Sequence, residues 1–361
     1  MKKILHIARN ELATLFYSPI AWLLMIFFMI MTSIDFTHIM EKLVGGYQRG
    51  GIGLFYIDNL TYDATADKML GYFHNIMFNL YMLFPLVTMG LISREVSSGS
   101  IKLLYSSPIR VRDIVLGKFL AVLSFTACLI VLVGCTVVAF CIITQQPDYS
   151  QLIFSLLGVF LLMLAYAAIG LFVSTLTSYA LVAALITLAI FALLTNIGTI
   201  GQDIVWLREI TSYLNITEKS TSLICGLFNL RDCAYFLIII TSFLAFSIIR
   251  LRAATESVTR TKKVIRYLMV IGMAGIAGAI TSSPYLNFYF DSSRNELNTI
   301  SRPTRAMLRK LDDGPLEIIV AANLLFGDFR RFTPEDRSWI DRFLWDPYIR
   351  FKPDIRVRYV N

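Results

Sequence analysis

Residues Ile114–Thr144 read IVLGKFLAVLSFTACLIVLVGCTVVAFCIIT, with Lys118 as the one charged side chain. A helix needs roughly 20 apolar residues to cross a hydrocarbon core. This stretch exceeds that and predicts a span that extends beyond the bilayer. Six more stretches of the same kind surround it: about Ile20–Met40, Tyr72–Ser93, Gln151–Ser174, Ala180–Ile200, Cys233–Ile249 and Ile265–Ser282. The bulk composition agrees. The chain has 361 residues, 56% hydrophobic and 16% charged, against about 25% charged in an ordinary soluble domain.

The spans divide into a first unit over 1–250, a linker with the seventh span over 251–283, and a tail over 284–361. Lysine and arginine in short loops collect on the cytoplasmic side. With the N-terminus inside, the inner segments carry 12 such residues and the outer ones 6. Seven spans then put the tail outside. The net charge of +8 reads as this bias, not as a nucleic-acid surface. Residues 4–16, with Ile4, Ile7, Ala8, Leu12 and Leu15 near helical spacing, predict an interfacial helix before Pro19. The segment 41–71 is glycine-rich and carries no clear helix or strand signal. The segment 201–232 has short apolar runs that either dip back into the membrane or form an outer vestibule. No signal peptide is evident at the N-terminus.

The chemistry of the side chains excludes several classes. The five cysteines form no CxxC pair and have no histidine beside them, so they read as packing residues, without a metal site or a disulfide framework. No G-x-x-x-x-G-K-[ST] occurs. Before Gly117-Lys118 the first glycine is replaced by Arg112, and Phe119 follows where a hydroxyl belongs. The chain therefore cradles no ATP phosphates through a P-loop. An integral membrane enzyme ranks last, since the spans hold no clustered His, Asp or Cys. Asp35 and His38, at i and i+3 near the outer end of the first span, are candidates for a proton relay, though their place near the interface favours plain solvation. Asn75 and Asn79 share a face of the second span and predict helix–helix hydrogen bonds; Asn196 reads the same way.

The segment that carries a mechanism joins the second and third spans: Ser93-Arg94-Glu95-Val96-Ser97-Ser98-Gly99-Ser100-Ile101-Lys102-Leu103-Leu104-Tyr105-Ser106-Ser107-Pro108. Val96, Ile101, Leu104 and Tyr105 suit a short helix lying against a surface, and Pro108 ends it. Glu95, Gly99, Ser100, Leu103, Leu104, Ser107, Pro108, Gly117 and Lys118 match, in order, the first cytoplasmic loop of ABC-2 type permeases. Glu11-Leu12, Phe16 and Ser18-Pro19-Ile20-Ala21 resemble the same family's interfacial helix and entry into span one. The resemblance covers roughly residues 1–250. It implies a six-helix permease whose loop is a coupling helix, docked on a separate ATPase subunit that binds the ATP. Arg94, Glu95, Gly99, Ser100, Leu103, Leu104 and Pro108 are then the contact residues, with Arg94 and Glu95 making charge-assisted contacts and Gly99 allowing close backbone approach. It also implies a second permease unit, as homodimer or pseudo-dimer, and a place in a bacterial inner membrane.

The tail changes character. It holds 13 basic and 11 acidic residues among ordinary apolar runs. A helix is predicted at about Pro303–Leu311 with Ser301 as N-cap, a strand at Leu316–Val320, a helix opening at Thr333-Pro334, and a strand at Ile355–Val360. This is a partial α/β domain, as of a fragment or of a domain that a partner completes. Phe290-Asp291-Ser292-Ser293-Arg294-Asn295-Glu296-Leu297-Asn298-Thr299-Ile300-Ser301 resembles the opening of the extracytoplasmic auxiliary domain of gliding-motility-associated ABC transporters, departing from it at Ser292 and Asn298. That resemblance implies a fused auxiliary part anchored by the seventh span. The expected class is thus an all-α polytopic membrane protein with a partial α/β extracytoplasmic domain. The expected function is an exporter permease with no enzyme activity of its own. A different class remains: a membrane-anchored assembly component of a gliding-motility or envelope machine that moves no solute.

Overall fold

The computed structural model describes residues 2–49, 59–66, 71–106, 109–144, 146–201, 204–255, 259–282, 288–311, 314, 316–321, 340–352 and 354–360. An amphipathic helix α1 (Lys2–Tyr17) bends at Ser18 into α2 (Pro19–Arg49). A short α3 (Leu60–Thr65) precedes α4 (Tyr72–Thr88). Two short helices, α5 (Ser93–Ser97) and α6 (Ile101–Ser106), lead into α7 (Val111–Ile143). Then come α8 (Tyr149–Ser174), α9 (Ala180–Asn196), α10 (Val205–Leu214), α11 (Ile216–Ile224), strand β1 (Leu227–Asn229), α12 (Leu230–Thr255) and α13 (Arg260–Thr281). Among the described residues seven helices are long and apolar enough to cross a membrane: α2, α4, α7, α8, α9, α12 and α13.

The helices run further than their apolar cores. Helix α2 continues past Met40 to Arg49, into the segment whose glycines masked any helix signal. Helix α12 extends beyond Cys233–Ile249 at both ends. Charged residues end a hydrocarbon-crossing stretch without ending a helix, because the backbone bonds persist into the interface.

Helix α8 is the axis of the bundle. Of its apolar window 72% is buried, against 6% for α13, which rests on α12 at the edge. Small residues let neighbours close on α8. A Cβ on Gly170 would stand 2.1 Å from Thr88 Oγ1 of α4. On the same axis Tyr166 stacks on Phe191 with ring centroids 3.9 Å apart. Asn79 Nδ2 donates to Asp35 across α4 and α2 at 2.7 Å, an interhelical bond of the kind the sequence predicts. His38 faces outward. Asn196 differs: it is exposed and donates back to Ala192 O of its own helix at 2.9 Å, the i−4 carbonyl being within reach.

The segment 201–232 folds as the pair α10–α11. Helix α11 dips against α8, where Ser155 Oγ donates to Ile224 O at 2.7 Å and Ser220 Oγ to Gly158 O at 3.2 Å. Its one long cation, Lys219, is buried and meets Asp232 at 3.6 Å.

The tail attaches at this end of the bundle. Strand β2 (Tyr289–Asp291) pairs antiparallel with β1, Leu227 opposite Asp291. Asp291 then organises the next turn, accepting from Ser293 N at 3.0 Å, Ser293 Oγ at 2.6 Å and Asn298 N at 3.0 Å. Ser292 and Asn298, where the motif departs from its pattern, are the residues that reach across. Ser292 Oγ donates to Gly226 O and Asn298 Nδ2 to Cys225 O, each at 2.7 Å. Beyond them α14 (Arg302–Lys310) is capped by Ser301, which accepts from Thr304 N. Strand β3 (Glu317–Ala321) pairs parallel with β4 (Arg356–Val360), and a π-helical turn over Asp341–Trp345 runs into α15 (Asp346–Ile349). The predicted helix opening at Thr333-Pro334 lies outside the described residues.

Candidate functional site

The loop between α4 and α7 lies at the opposite end of the bundle from the tail. After Thr88 the chain tightens, and Ser93 Oγ bonds back to Met89 O as α5 begins. Helix α5 lasts one turn. The N–H of Ser98 donates to Arg94 O at 3.1 Å and that of Gly99 to Val96 O at 3.3 Å. Gly99 has φ +74°, the left-handed stop that suits a residue without Cβ. No other residue crowds it, so within the chain its role is the turn. Helix α6 restarts at once, Lys102 N donating to Gly99 O at 3.1 Å and Leu103 N to Ser100 O at 3.0 Å. Ser100 Oγ reaches back to Glu95 O at 3.4 Å and clips the two short helices together.

Beneath this clip sits Lys118. It is 2% exposed, about two turns inside α7. Its ammonium binds Glu95 of α5 at 2.7 Å and Glu11 of α1. One cation thus ties the interfacial helix, the loop and the third span together. Gly117 makes room for α1: a Cβ there would stand 2.7 Å from Ile7 Cγ2 and 3.1 Å from Ile4 O. Phe16 completes the contact, 6.0 Å from Phe125 between ring centroids. A buried lysine needs such partners, since removing one side of a buried pair costs about 3–5 kcal/mol.

The other loop residues divide by direction. Glu95 is turned in toward Lys118. Val96 and Ile101 pack on the hydrophobic core. Tyr105 is held protonated above the usual phenol range, first by burial and then by the Glu95 charge, against the pull of Arg250. Arg94 is exposed and lies over Gly90, where a Cβ would stand 2.8 Å from its Nη2. Leu103 is 74% exposed, with Lys102 exposed beside it. Leu104 lies in α6, and Pro108 falls outside the described residues.

Sequence reasoning placed Gly117-Lys118 in a motif but did not see its partners. The signal was there: a lone lysine one turn into an apolar run has to find a carboxylate. Which of the chain's acids it finds is a matter of packing. Among the described residues the arrangement holds no group of side chains placed as nucleophile with a general base. What it provides is a stiff, surface-facing element fixed to a long span.

The description ABC-2 family transporter protein belongs to the family whose model matches residues 5–254. No curated protein matches the chain. With that match over well more than half its length, the chain belongs to the ABC-2 transporter family, as a multi-pass membrane permease of an ABC transporter.

Proposed function

We propose that this permease couples a separate ATPase to export, through the loop 94–108. The observation that supports the reading is the contrast inside the loop. Its inner face is fixed to α7 and α1 through Lys118, and its outer face presents Leu103. A load on the outer face passes into α7 without being absorbed by the loop. The ATP sits on the partner, a reading supported by the lack of a P-loop motif in these 361 residues. Arg94, Lys102 and Leu103 are the contact residues, and Glu95 acts as a positioning residue through Lys118. A second permease unit pairs across the outward face of α2, where Ile30, Ser33, Ile34 and Thr37 line an open groove. The protein sits in a bacterial inner membrane with α1 in the cytoplasm, and the tail serves as a fused extracytoplasmic auxiliary part.

The test is co-purification. Detergent-solubilised protein brings down an ATPase, and Leu103→Glu abolishes that while leaving the melting temperature unchanged. An ATPase retained by Leu103→Glu, or none in the wild type, refutes the coupling reading.

A further inference from the structure

The end of the bundle that carries the tail holds a polar cavity of about 420 Å³ between α10, α11, the start of α12 and the tail. That lies within the range of small-molecule sites, about 300–1,000 Å³. Its charges pair almost completely. Asp232 meets Lys219 at 3.6 Å, Asp341 meets Arg208 at 3.7 Å, and Asp346 meets Arg350 at 3.1 Å. Glu209 of the lining is exposed to solvent. This leaves Arg231. Among the described residues no carboxylate pairs with it, and its Nε is buried without a hydrogen-bond partner. Arg350, another cation of the lining, is held within the fold. Its side chain is 7% exposed, its two terminal nitrogens are used on Asp346 and Asn298 O, and its Nε is likewise buried without a partner.

A partly buried arginine that lines a cavity and has no carboxylate partner is costly unless an acceptor meets it. The three aspartates of the lining are already taken, and Glu209 is exposed to solvent. A guanidinium matches the planar, two-oxygen geometry of a carboxylate or phosphate. Ser212, Ser222 and Asn229 in the same lining supply neutral donors. We propose that this cavity binds an oxyanion group, carboxylate or phosphate, with Arg231 as its principal ligand. The cavity draws its lining from both parts of the chain, since Arg231 opens α12 and Arg350 follows α15.

The proposal does not depend on ATPase coupling and is tested without it. Purified full-length protein in phosphatidylcholine nanodiscs is titrated with citrate and with inorganic pyrophosphate by calorimetry. At least one binds saturably, and Arg231→Gln weakens it by roughly ten- to hundredfold, the factor a charge-assisted bond supplies. Arg252→Gln, at the far end of α12, leaves it unchanged. If lipid headgroups are the source of the oxyanion, exchanging part of the lipid for phosphatidylglycerol lowers the apparent affinity for the soluble anion in wild type only. If they are not, that exchange has no effect. Arg231→Lys keeps the charge and loses the fork, so it binds with intermediate affinity. It also serves if the Gln variant does not fold. Equal affinity in wild type and the Arg231 variants, or no saturable binding of either anion, overturns the proposal.

Discussion

The two ends of this bundle handle buried charge in opposite ways. At one end Lys118 answers two carboxylates, Glu11 and Glu95, drawn from different helices, and the region is closed. At the other end Arg231 reaches into a cavity where every buried acid already has a base. The first arrangement locks three elements into one body and suits the passing of force. The second leaves an arginine without a carboxylate in the lining of a cavity and suits the capture of something from outside. Both ends are charged; what differs is whether the charge is spent within the fold.

The comparison breaks most readily at Lys118. Lys118→Met leaves Glu11 and Glu95 facing each other, and lost stability of about 3 kcal/mol is expected, read as an early melt in detergent. A double change, Lys118→Met with Glu95→Gln, should cost less than the sum of the two, because both remove one interaction. Full additivity would mean that the cluster holds nothing together. Next in size is Gly170→Ala on the central helix, which forces α8 and α4 apart and is expected to cost about 1–3 kcal/mol by overpacking. It loads the α8–α4 contact at Thr88, where the loop begins, without removing any member of the Lys118 cluster. Gly99→Ala follows at about 1 kcal/mol, from the left-handed φ alone, and circular dichroism with thermal melting checks it. Smallest is Leu103→Glu, within about 0.5 kcal/mol in stability as an exposed position, yet with full loss of the ATPase in pull-down. That separation of stability from association sharpens the contrast, since only a surface used by a partner shows it. At the α2 face, Ser33→Cys should crosslink between copies under mild oxidation, and a monomer-only product would remove the paired arrangement.

Hydropathy made the seven spans legible, because each apolar run is local and long enough to need no help from the rest of the fold. The capped α14 and strands β3 and β4 were legible for the same reason: Ser301 and the apolar runs act over a few residues. The loop was found by its ordered motif. The partners of Lys118 were not legible. Glu11 stands 107 residues away and Glu95 23 away, and only packing of α1 on α7 at Gly117 brings them in. Helix α11 was equally hidden. Its sequence, with Thr217, Glu218, Lys219 and Ser220, is that of a surface helix, and its burial comes from α8 closing on small residues. Arg231 looked like an ordinary outer-loop cation, for its surroundings are assembled from a tail more than 100 residues further on.

The strand pairing of β1 with β2 has a consequence for subunit counting. The tail is held by three paired positions, by bonds to the backbone of residues 225 and 226, and by contacts to Asn59, Gln146, Asp148 and Arg208. Carried on the same polypeptide, it faces its docking strand at an effective concentration on the millimolar scale. One polypeptide therefore carries one tail for each set of spans, whatever the expression level.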